Sequence, residues 1–360
     1  MTHIGVPGLA KLSSKTGVGR VIRTLEAHSG KNVVLSDLIY QSLDLPFMRN
    51  FPTRVLNEKL DAVIFPQLTG VRNVRILRPS LKSVAIVHDI GIIDSPLDKN
   101  LLNPMSKAII KYDLKSLKHI DLIISVSEFT KQRIVKYFPN LESKIVVVNN
   151  SLSESFLNFD VSKTVSKENV CNKLAIDIDS IILLYVGTEL PRKNLPLLLD
   201  TFVELKKTIN KIVLIKVGGS GGIIWRQQIL RLIKERSLDL EKDIYIRDNI
   251  SEEDLLNYYN SATITVLPSL YEGFGLPAIE SMALGTPIVA ANGSAMNELV
   301  SPLNMIHTPS VESFRDAIIE IITSGVTDKQ RAGMAQTKFI YSPLLQSNTM
   351  FLLIDKLVSD

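Results

Sequence analysis

Two glutamates, Glu272 and Glu280, stand eight positions apart in SLYEGFGLPAIESMALGTPIV, residues 269–289. The glycines between them let the backbone turn tightly, and Pro277 is typical of a helix start. Because the first N–H groups of a helix can bind anions, this segment can hold a diphosphate. Glu272 is then expected to accept hydrogen bonds from sugar hydroxyls, and Glu280 to bind a ribose diol. The alternative is a solvated loop residue and an acid that complements the helix dipole.

Two adjacent cations, Arg192 and Lys193, lie between a predicted strand and helix in LYVGTELPRKNLPLLLDTF, residues 184–202. Arginine offers a fork of donors and lysine a point charge, so together they can neutralise a departing diphosphate without a metal ion. The alternative, two solvated charges, is disfavoured because cations at a helix start oppose the helix dipole. The pattern therefore favours a phosphate site.

Two weaker signals come from the first half of the chain. Gly17 and Gly19 belong to TGVGR, residues 16–20, which predicts a glycine loop whose amides can reach a phosphate or sugar, although a lone pair of this kind is more often a turn. His88 follows the apolar run SVAIV, so we expect it at the carboxyl end of a strand, where parallel sheets bind ligands. A single histidine is also commonly a hydrogen-bonded structural residue.

Two further patterns are interpreted as structural. Asp177 and Asp179 have the spacing of metal-binding acids, but they precede their strand and are expected in a solvated turn away from the ligand edge. The glycine-rich run 218–222 lacks the lysine and hydroxyl ending of a P-loop and is expected to border the nucleotide site as a turn. No metal site is predicted.

All these candidates adjoin short β-branched runs that alternate with stretches of helical periodicity, the pattern of parallel sheets flanked by helices. The predicted strands are 61–66, 83–88, 121–126, 144–149, 180–187, 211–218, 243–248, 263–268 and 286–291. They form two sets, and a chain of 360 residues is long enough for two cores. The sequence therefore predicts an α/β protein with two doubly wound, Rossmann-like domains.

The polar segment 150–173 is interpreted as an exposed linker between these domains. We expect an N-terminal, acceptor-side domain at 1–165 and a C-terminal, nucleotide-sugar-binding domain at 166–342. The last segment, 343–360, is expected to form a helix that returns towards the first domain.

Charge and composition narrow the class of protein. Lys and Arg outnumber Asp and Glu by 22 to 14 over residues 1–165, whereas acids lead by 23 to 19 over the rest, so the first half is expected to meet an anionic partner. No apolar run approaches the roughly 20 residues of a membrane-spanning helix, and the N-terminus lacks the apolar core of a secretion signal. Cys171 is the single cysteine, which excludes an internal disulfide. A cytoplasmic protein without a nucleic-acid partner is predicted.

A basic stripe offers one route to an anionic partner. In MSKAIIKYDLKSLKHID, residues 105–121, lysines recur at helical spacing beside an apolar face, at Lys107, Lys111, Lys115 and Lys118. Such a helix can lie in the headgroup region of an anionic membrane, so peripheral membrane association is one interpretation. The pattern favours the other, a helix packed on the sheet whose lysines face water, because such faces are common.

Taken together, the motifs resemble glycosyltransferase family 4, retaining enzymes of the GT-B fold in which two Rossmann-like domains face a cleft. The resemblance covers nearly the whole chain and is carried by the acid motif with VGTELPRKN, TGVGR, VHD and SVSEFT, at 272–280, 186–194, 16–20, 87–89 and 125–130. It implies a nucleotide diphosphate sugar as donor, with GDP-mannose as first candidate and a UDP-hexose as second. It also implies that no other cofactor is needed and that the acceptor is a glycan or a lipid-linked molecule.

The resemblance also implies a role for each matched residue. Glu272 and His88 are expected at the donor sugar, Glu280 at the ribose, and Arg192 and Lys193 at the diphosphate. Further donor contacts are implied for the two glycine-containing motifs, at Gly17, Gly19, Gly273, Phe274, Gly275 and Leu276. The chain departs from many members at Thr188, where they carry an arginine, and Arg192 is expected to substitute for it.

Three alternatives stay open. A nicotinamide oxidoreductase shares the alternating pattern, but the dinucleotide fingerprint is absent. A sugar-nucleotide epimerase can have the same two-domain architecture. A non-enzymatic sugar-binding or lipid-binding protein is compatible with any fold, although it would have no use for both phosphate cations and both acids.

Overall fold

A computed structural model of the protein describes the following residues: 2–7, 17–29, 33–38, 40–42, 52–55, 59–77, 79–97, 101–303 and 305–360. The strands among them are β1 (Thr2–Pro7), β2 (Val33–Leu38), β3 (Tyr40–Ser42), β4 (Pro52–Val55), β5 (Ala62–Phe65), β6 (Lys82–Val87), β7 (Leu122–Ser125), β8 (Ile145–Val147), β9 (Ile181–Val186), β10 (Ile212–Val217), β11 (Ile244–Arg247), β12 (Ile264–Leu267), β13 (Ile288–Ala291) and β14 (Ile306–His307). The α-helices are α1 (Gly17–Ala27), α2 (Gly91–Asp94), α3 (Pro104–Ser116), α4 (Glu128–Tyr137), α5 (Glu154–Asn158), α6 (Lys163–Leu174), α7 (Leu195–Lys206), α8 (Ile223–Glu235), α9 (Glu252–Ser261), α10 (Leu276–Ala283), α11 (Met296–Val300), α12 (Val311–Ser324), α13 (Asp328–Ile340) and α14 (Pro343–Ser359).

The first compact unit comprises Met1–Ser153 and Tyr341–Asp360. Its main sheet has the order β2-β1-β5-β6-β7-β8, with every pair parallel, and β3 and β4 form a separate antiparallel pair. Parallel strands covered on both faces are expected to be apolar throughout, and β5 and β6 are buried along almost their whole length. The terminal helix α14 belongs to this unit, where the Thr2 hydroxyl donates to Asp355 over 2.9 Å.

The second compact unit, Glu154–Ile340, contains a parallel sheet of order β11-β10-β9-β12-β13-β14. The chain builds outward from β9 to β11 and then returns to the other side of β9 with β12. Such a reversal opens a crevice at the carboxyl ends of the two central strands, where parallel sheets bind ligands. The core of this unit includes Phe202, Val266 and Phe314, all fully buried.

The prediction of two parallel sheets flanked by helices is confirmed, and each of the nine predicted strands is present. The sequence analysis did not predict β1, β2, β3, β4 or β14. β1 and β2 carry polar residues or glycine among their apolar ones, and β14 is only two residues long. Within the described residues, no helix has the length and apolar character needed to cross a bilayer.

The interpretation of 150–173 as an exposed linker is wrong for most of that segment. α5 and α6 occupy it, and Ser162 caps α6 by accepting a hydrogen bond from the Val165 amide. Val170 and Leu174 recur at helical spacing and are buried, so the segment packs as structure within the second unit. Its many polar residues lie on the solvent side of a helix and concealed this pattern.

Candidate active site

The segment after β9 places two cations on a short turn. A 3₁₀ turn, Pro191–Lys193, carries Arg192 and Lys193, and Asn194 then takes a left-handed conformation before α7 begins. Both cations are half-buried. This change from a 3₁₀ turn to an α-helix fixes the backbone positions from which the Arg192 and Lys193 side chains extend.

The segment after β12 places the acid motif at the start of α10. Gly275 has a φ of 115° and precedes the helix, and a Cβ atom there would lie 1.7 Å from the terminal methyl of Met296. Glycine is therefore required both by conformation and by space. No side-chain hydrogen bond caps this helix at Gly275, and Pro277 in its first turn has no N–H to offer an anion.

The two segments bind each other. The Leu270 amide donates to the Arg192 carbonyl over 2.8 Å, and the Arg192 guanidinium donates to the Tyr271 carbonyl over 3.3 Å. Lys193 Nζ donates to Glu272 Oε1 over 2.5 Å, and each side chain is 14% exposed. The structure thus brings together three predicted site residues and pairs Lys193, predicted at a phosphate, with Glu272, predicted at a sugar.

This arrangement keeps Glu272 ionised. Burial raises the pKa of a carboxyl group, but the charges of Lys193 and Arg192, with hydrogen bonds from Lys193 and Ser269, outweigh it and hold the pKa of Glu272 below its ordinary value. The site therefore presents a negative carboxylate between two positive side chains. Such a group accepts hydrogen bonds and favours positive charge close by.

The other members of the acid motif line the same turn more deeply. Gly273, Phe274 and Gly275 are buried, and Leu276 is half-buried in the first helical turn. Glu280, expected at a ribose, is only 2% exposed and accepts a hydrogen bond from the Tyr259 hydroxyl over 2.7 Å. Its carboxylate is more enclosed than the sequence indicated, and the ribose role stays a prediction.

His88 directly follows β6 in the first unit and is half-buried. Its Nε2 lies 3.0 Å from the Pro66 carbonyl, which can only accept, so this nitrogen carries the proton and Nδ1 is left as an acceptor. Burial lowers the pKa of His88, although the Pro66 contact and Asp89 oppose it. The residue is therefore a neutral imidazole at pH 7.

Gly17 and Gly19 do not form a loop ahead of a helix as predicted. α1 begins at Gly17, so both glycines lie in its first turn, and Thr16 is outside the described residues. Ile22 and Leu25 are buried and anchor the helix, which extends back through the glycines despite their low helix propensity. Any anion bound here would meet first-turn helix amides.

The sequence analysis missed a charge cluster formed by Glu189, Lys216, Arg226 and Asp248, in which the first two residues are buried and the last two are partly exposed. Glu189 has a fully buried side chain that pairs with Lys216 Nζ over 2.7 Å and accepts hydrogen bonds from Arg226 Nε over 2.9 and 3.0 Å. Arg226 also pairs with Asp248 over 2.7 Å, and Lys216 is 3% exposed. Burial lowers the pKa of Lys216, against the opposing charge of Glu189.

This cluster sits at the same edge of the sheet as the cations. Its members lie in or just after β9, β10 and β11 and in the first turns of α8. The Glu189 amide also donates to the Ser220 carbonyl over 3.2 Å, and a Cβ on Gly218 would lie 2.8 Å from the Gly187 carbonyl oxygen, so the two loops touch closely. One signal was present in the sequence: a lysine inside the apolar strand KIVLIKV.

Both patterns interpreted as structural lie in turns, as expected. Asp177 and Asp179 precede β9 and pair with the exposed Lys211 over 2.7 and 3.5 Å. The run 218–222 forms a turn that leads into α8. In the part of the chain that the structure describes, no group of three or more histidine, cysteine or acidic residues is placed to hold a metal ion.

Residues 166–338 match the family model described as Glycosyl transferases group 1. Over 234 residues the chain is 30% identical to the O-antigen chain mannosyltransferase B of Escherichia coli, covering 64% of this chain and 58% of that protein. Over 130 residues it is 35% identical to the D-inositol 3-phosphate glycosyltransferase of Thermobifida fusca, covering 35% of this chain and 30% of that protein. The chain thus spans about half or less of the length of these relatives.

Solved structures share the fold over the full chain. A sucrose-phosphate synthase from Thermosynechococcus elongatus superposes with a TM-score of 0.76 at 19% identity, with both chains covered completely. Anabaena HepE in complex with UDP-glucose gives a TM-score of 0.76 at 13% identity, again with complete coverage of both chains. At these identities the likeness shows the architecture alone.

Proposed function

We propose that this chain, which belongs to the group 1 glycosyl transferases and is a family 4-like glycosyltransferase of the GT-B fold, transfers a hexose from a nucleotide diphosphate sugar to a glycan or lipid-linked acceptor. The observation that carries the proposal is the contact between Lys193 and Glu272 beside Arg192. Two cations and one ionised acid meet at the carboxyl ends of the central strands β9 and β12. These are the charges that a departing diphosphate and an electron-poor sugar require.

Arg192 and Lys193 act on the leaving group. A lysine ammonium has three donors, so Lys193 can keep its bond to Glu272 while it donates to a phosphate oxygen. Arg192 supplies a second fixed positive charge, and the start of α10 adds the positive end of a helix dipole. Because these charges are in place before the reaction, they lower its barrier without a metal ion.

Glu272 acts on the sugar. Its ionised carboxylate accepts hydrogen bonds from hydroxyl groups and stabilises positive charge as the bond between the anomeric carbon and the phosphate oxygen breaks. The acceptor hydroxyl forms the new bond on the same face, and its proton passes to the oxygen of the departing phosphate. The products are a glycoside with retained configuration and a nucleoside diphosphate.

The remaining residues bind substrate. His88, neutral with a free lone pair on Nδ1, is proposed to accept a hydrogen bond from a sugar hydroxyl. Glu280 is proposed to bind the ribose by sharing its carboxylate between a hydroxyl and Tyr259. The amides at Gly17 and Gly19 and those around Gly275 are proposed to border the phosphates.

The donor proposed first is GDP-mannose, because the E. coli relative is named a mannosyltransferase. A UDP-hexose is proposed second, because HepE, which shares the fold, was crystallised with UDP-glucose. A cytoplasmic location and the absence of a nucleic-acid partner stay predictions.

The test is a screen of the full chain against GDP-mannose, UDP-glucose and their relatives in EDTA, with release of nucleoside diphosphate as readout. One donor is expected to be hydrolysed slowly without acceptor, and NMR of the glycoside is expected to show the donor's anomeric configuration. Isomerisation of the sugar without release of nucleotide would instead identify an epimerase. Donor binding without any turnover across a panel of glycan and lipid-linked acceptors would favour a binding protein. Activity that is lost in EDTA and restored by Mg²⁺ would refute the metal-independent mechanism.

A further inference from the structure

The first unit carries an apolar groove of about 480 Å³ beside α3. Its walls come from α2, α3 and the end of α4, at Ile92, Ile93, Ile110, Leu114, Tyr137 and Phe138. Lys107, Lys111 and Lys115 line the α3 side of the groove. These three lysines of the basic stripe thus border an apolar surface as well as solvent.

Ion pairs hold both walls of the groove in place. On α3, Asp113 is fully buried and accepts from Arg72 Nη1 over 2.6 Å, which directs the opposite side of the helix outward. On the facing wall, Asp94 pairs with Arg133 and accepts a hydrogen bond from the Tyr137 hydroxyl over 3.0 Å. Because Asp94 and Asp113 are both neutralised by arginine, the lysines give the groove a net positive rim.

The surface around the groove is also apolar. Tyr137, which lines the groove, is 40% exposed at the end of α4. A second hollow of about 300 Å³ shares Lys115, Tyr137 and Phe138 with the first. Two adjoining apolar hollows that share an exposed aromatic side chain are typical of a binding surface.

We infer that this groove docks the first unit on an anionic phospholipid bilayer, with lysines on headgroup phosphates and one acyl chain between α3 and α4. The proposal rests on charge and polarity together: an anionic polymer would use the lysines but not the apolar walls, and a neutral apolar partner would not use the lysines. An anionic amphiphile uses both. The proposal does not depend on the proposed sugar transfer.

Sedimentation of the full chain with vesicles tests the docking. Vesicles of phosphatidylcholine mixed with phosphatidylglycerol are expected to carry the protein down, and vesicles of phosphatidylcholine alone are not. Lys107→Gln, Lys111→Gln and Lys115→Gln together are expected to lower the partition coefficient about a hundredfold, since each lysine contributes about fivefold at an anionic surface. Because these vesicles contain no glycolipid, binding to them does not require an acceptor.

A matched triple variant controls for net charge. Lys207→Gln, Lys234→Gln and Lys242→Gln remove three exposed lysines from the second unit, so their effect on partitioning is expected to stay within about twofold. An equal loss with both triple variants would overturn the assignment to this groove. Failure to bind either kind of vesicle would overturn the docking altogether.

Fluorescence quenching tests the acyl chain itself. Trp225 is the single tryptophan, so Tyr137→Trp in a Trp225→Phe background places the only indole at the groove. Phosphatidylglycerol brominated on its acyl chains is expected to quench this indole in vesicles. Binding without quenching would show adsorption by charge alone and would overturn the groove as an acyl-chain site.

Discussion

Two charge clusters share the loop that follows β9, and they differ in how far they are sealed. Arg192 and Lys193 meet Glu272 at a half-buried position, whereas Glu189 meets Lys216 and Arg226 with a fully buried side chain. A half-buried ion pair can exchange one partner for a ligand. At the centre of the second cluster, which we call the sealed cluster, Lys216 and Glu189 are 3% and 0% exposed, so no ligand can reach that pair and it holds the backbone around it. Arg226 and Asp248 at its edge are 25% and 34% exposed.

The difference in burial suggests that two parts of the loop after β9 have different roles. The sealed cluster ties the loop at Glu189 to β10 and α8, and the half-buried cluster three residues later presents the cations. We therefore interpret Glu189 and Lys216 as positioning residues and Arg192 and Lys193 as catalytic residues.

The largest expected effect comes from breaking the sealed cluster. Lys216→Met leaves the Glu189 carboxylate buried with one partner fewer, which is expected to cost about 3–5 kcal/mol of unfolding free energy. Adding Glu189→Gln is expected to recover part of that loss, because the surviving pair of Arg226 and Asp248 is balanced in charge. Urea denaturation of both variants measures the difference.

Lys211→Met is the matched control for that experiment. Lys211 pairs with Asp177 at the surface, where each side chain is about half exposed, and such pairs contribute roughly 0–1 kcal/mol. A loss for Lys216→Met as small as that of the control would contradict the sealed cluster. A double variant with a lower free energy of unfolding than Lys216→Met alone would also contradict it.

Breaking the half-buried cluster is expected to affect turnover. Arg192→Ala and Lys193→Ala are each expected to lower kcat by about 10²–10³, since each removes a fixed charge from the departing diphosphate. Their melting temperatures are expected to fall much less than that of Lys216→Met. Lys207→Ala serves as control, because Lys207 is exposed and lies just after the end of α7. Equally small effects on kcat in all three variants would reject the site.

The part of this comparison that the sequence predicted follows from local patterns. Strands such as β6 and β12 are short and mostly apolar, and the loops that follow them carry His88 and Glu272. The rule that parallel sheets bind ligands at the carboxyl ends of their strands was therefore enough to select these two residues. The partnership of Lys193 with Glu272 joins residues 79 positions apart. No local pattern predicts which cation meets which acid.

The parts that the sequence did not predict depend on tertiary burial. The enclosure of Glu280 requires Tyr259 from another helix, and the sealed cluster requires three adjacent strands. The helical start at Gly17 is set by the burial of Ile22 and Leu25 rather than by the propensity of its first residues. Each of these outcomes depends on which side chains are buried in the folded chain. The amino-acid composition does not predict that burial.

A smaller effect is expected at Glu280. Glu280→Gln is expected to weaken nucleotide binding about tenfold and to change kcat little, because a ribose contact acts equally in the ground state and the transition state. Isothermal titration with the donor's nucleoside diphosphate measures it, with Glu312→Gln in the exposed first turn of α12 as control. A change in kcat without a change in affinity for the nucleoside diphosphate would contradict the ribose role of Glu280.

The smallest expected effect concerns acid stability. The pKa of Glu272 in the folded protein lies below its unfolded value of about 4.3, so its contribution is present above that pH and is lost as the pH falls further. Wild type is therefore expected to lose slightly more stability than Glu272→Gln between about pH 4.3 and more acidic values. Thermal melts across this window measure the difference, and parallel curves would contradict an ionised, paired Glu272.

The central claim is that Lys193 can serve both Glu272 and a diphosphate, and one titration tests it most directly. The affinity of wild type and Glu272→Gln for the donor's nucleoside diphosphate is measured in EDTA. Removing the carboxylate's charge frees Lys193 and relieves repulsion, so Glu272→Gln is predicted to bind the diphosphate several-fold more tightly while sugar transfer falls. Weaker or unchanged binding by this variant would contradict the claim.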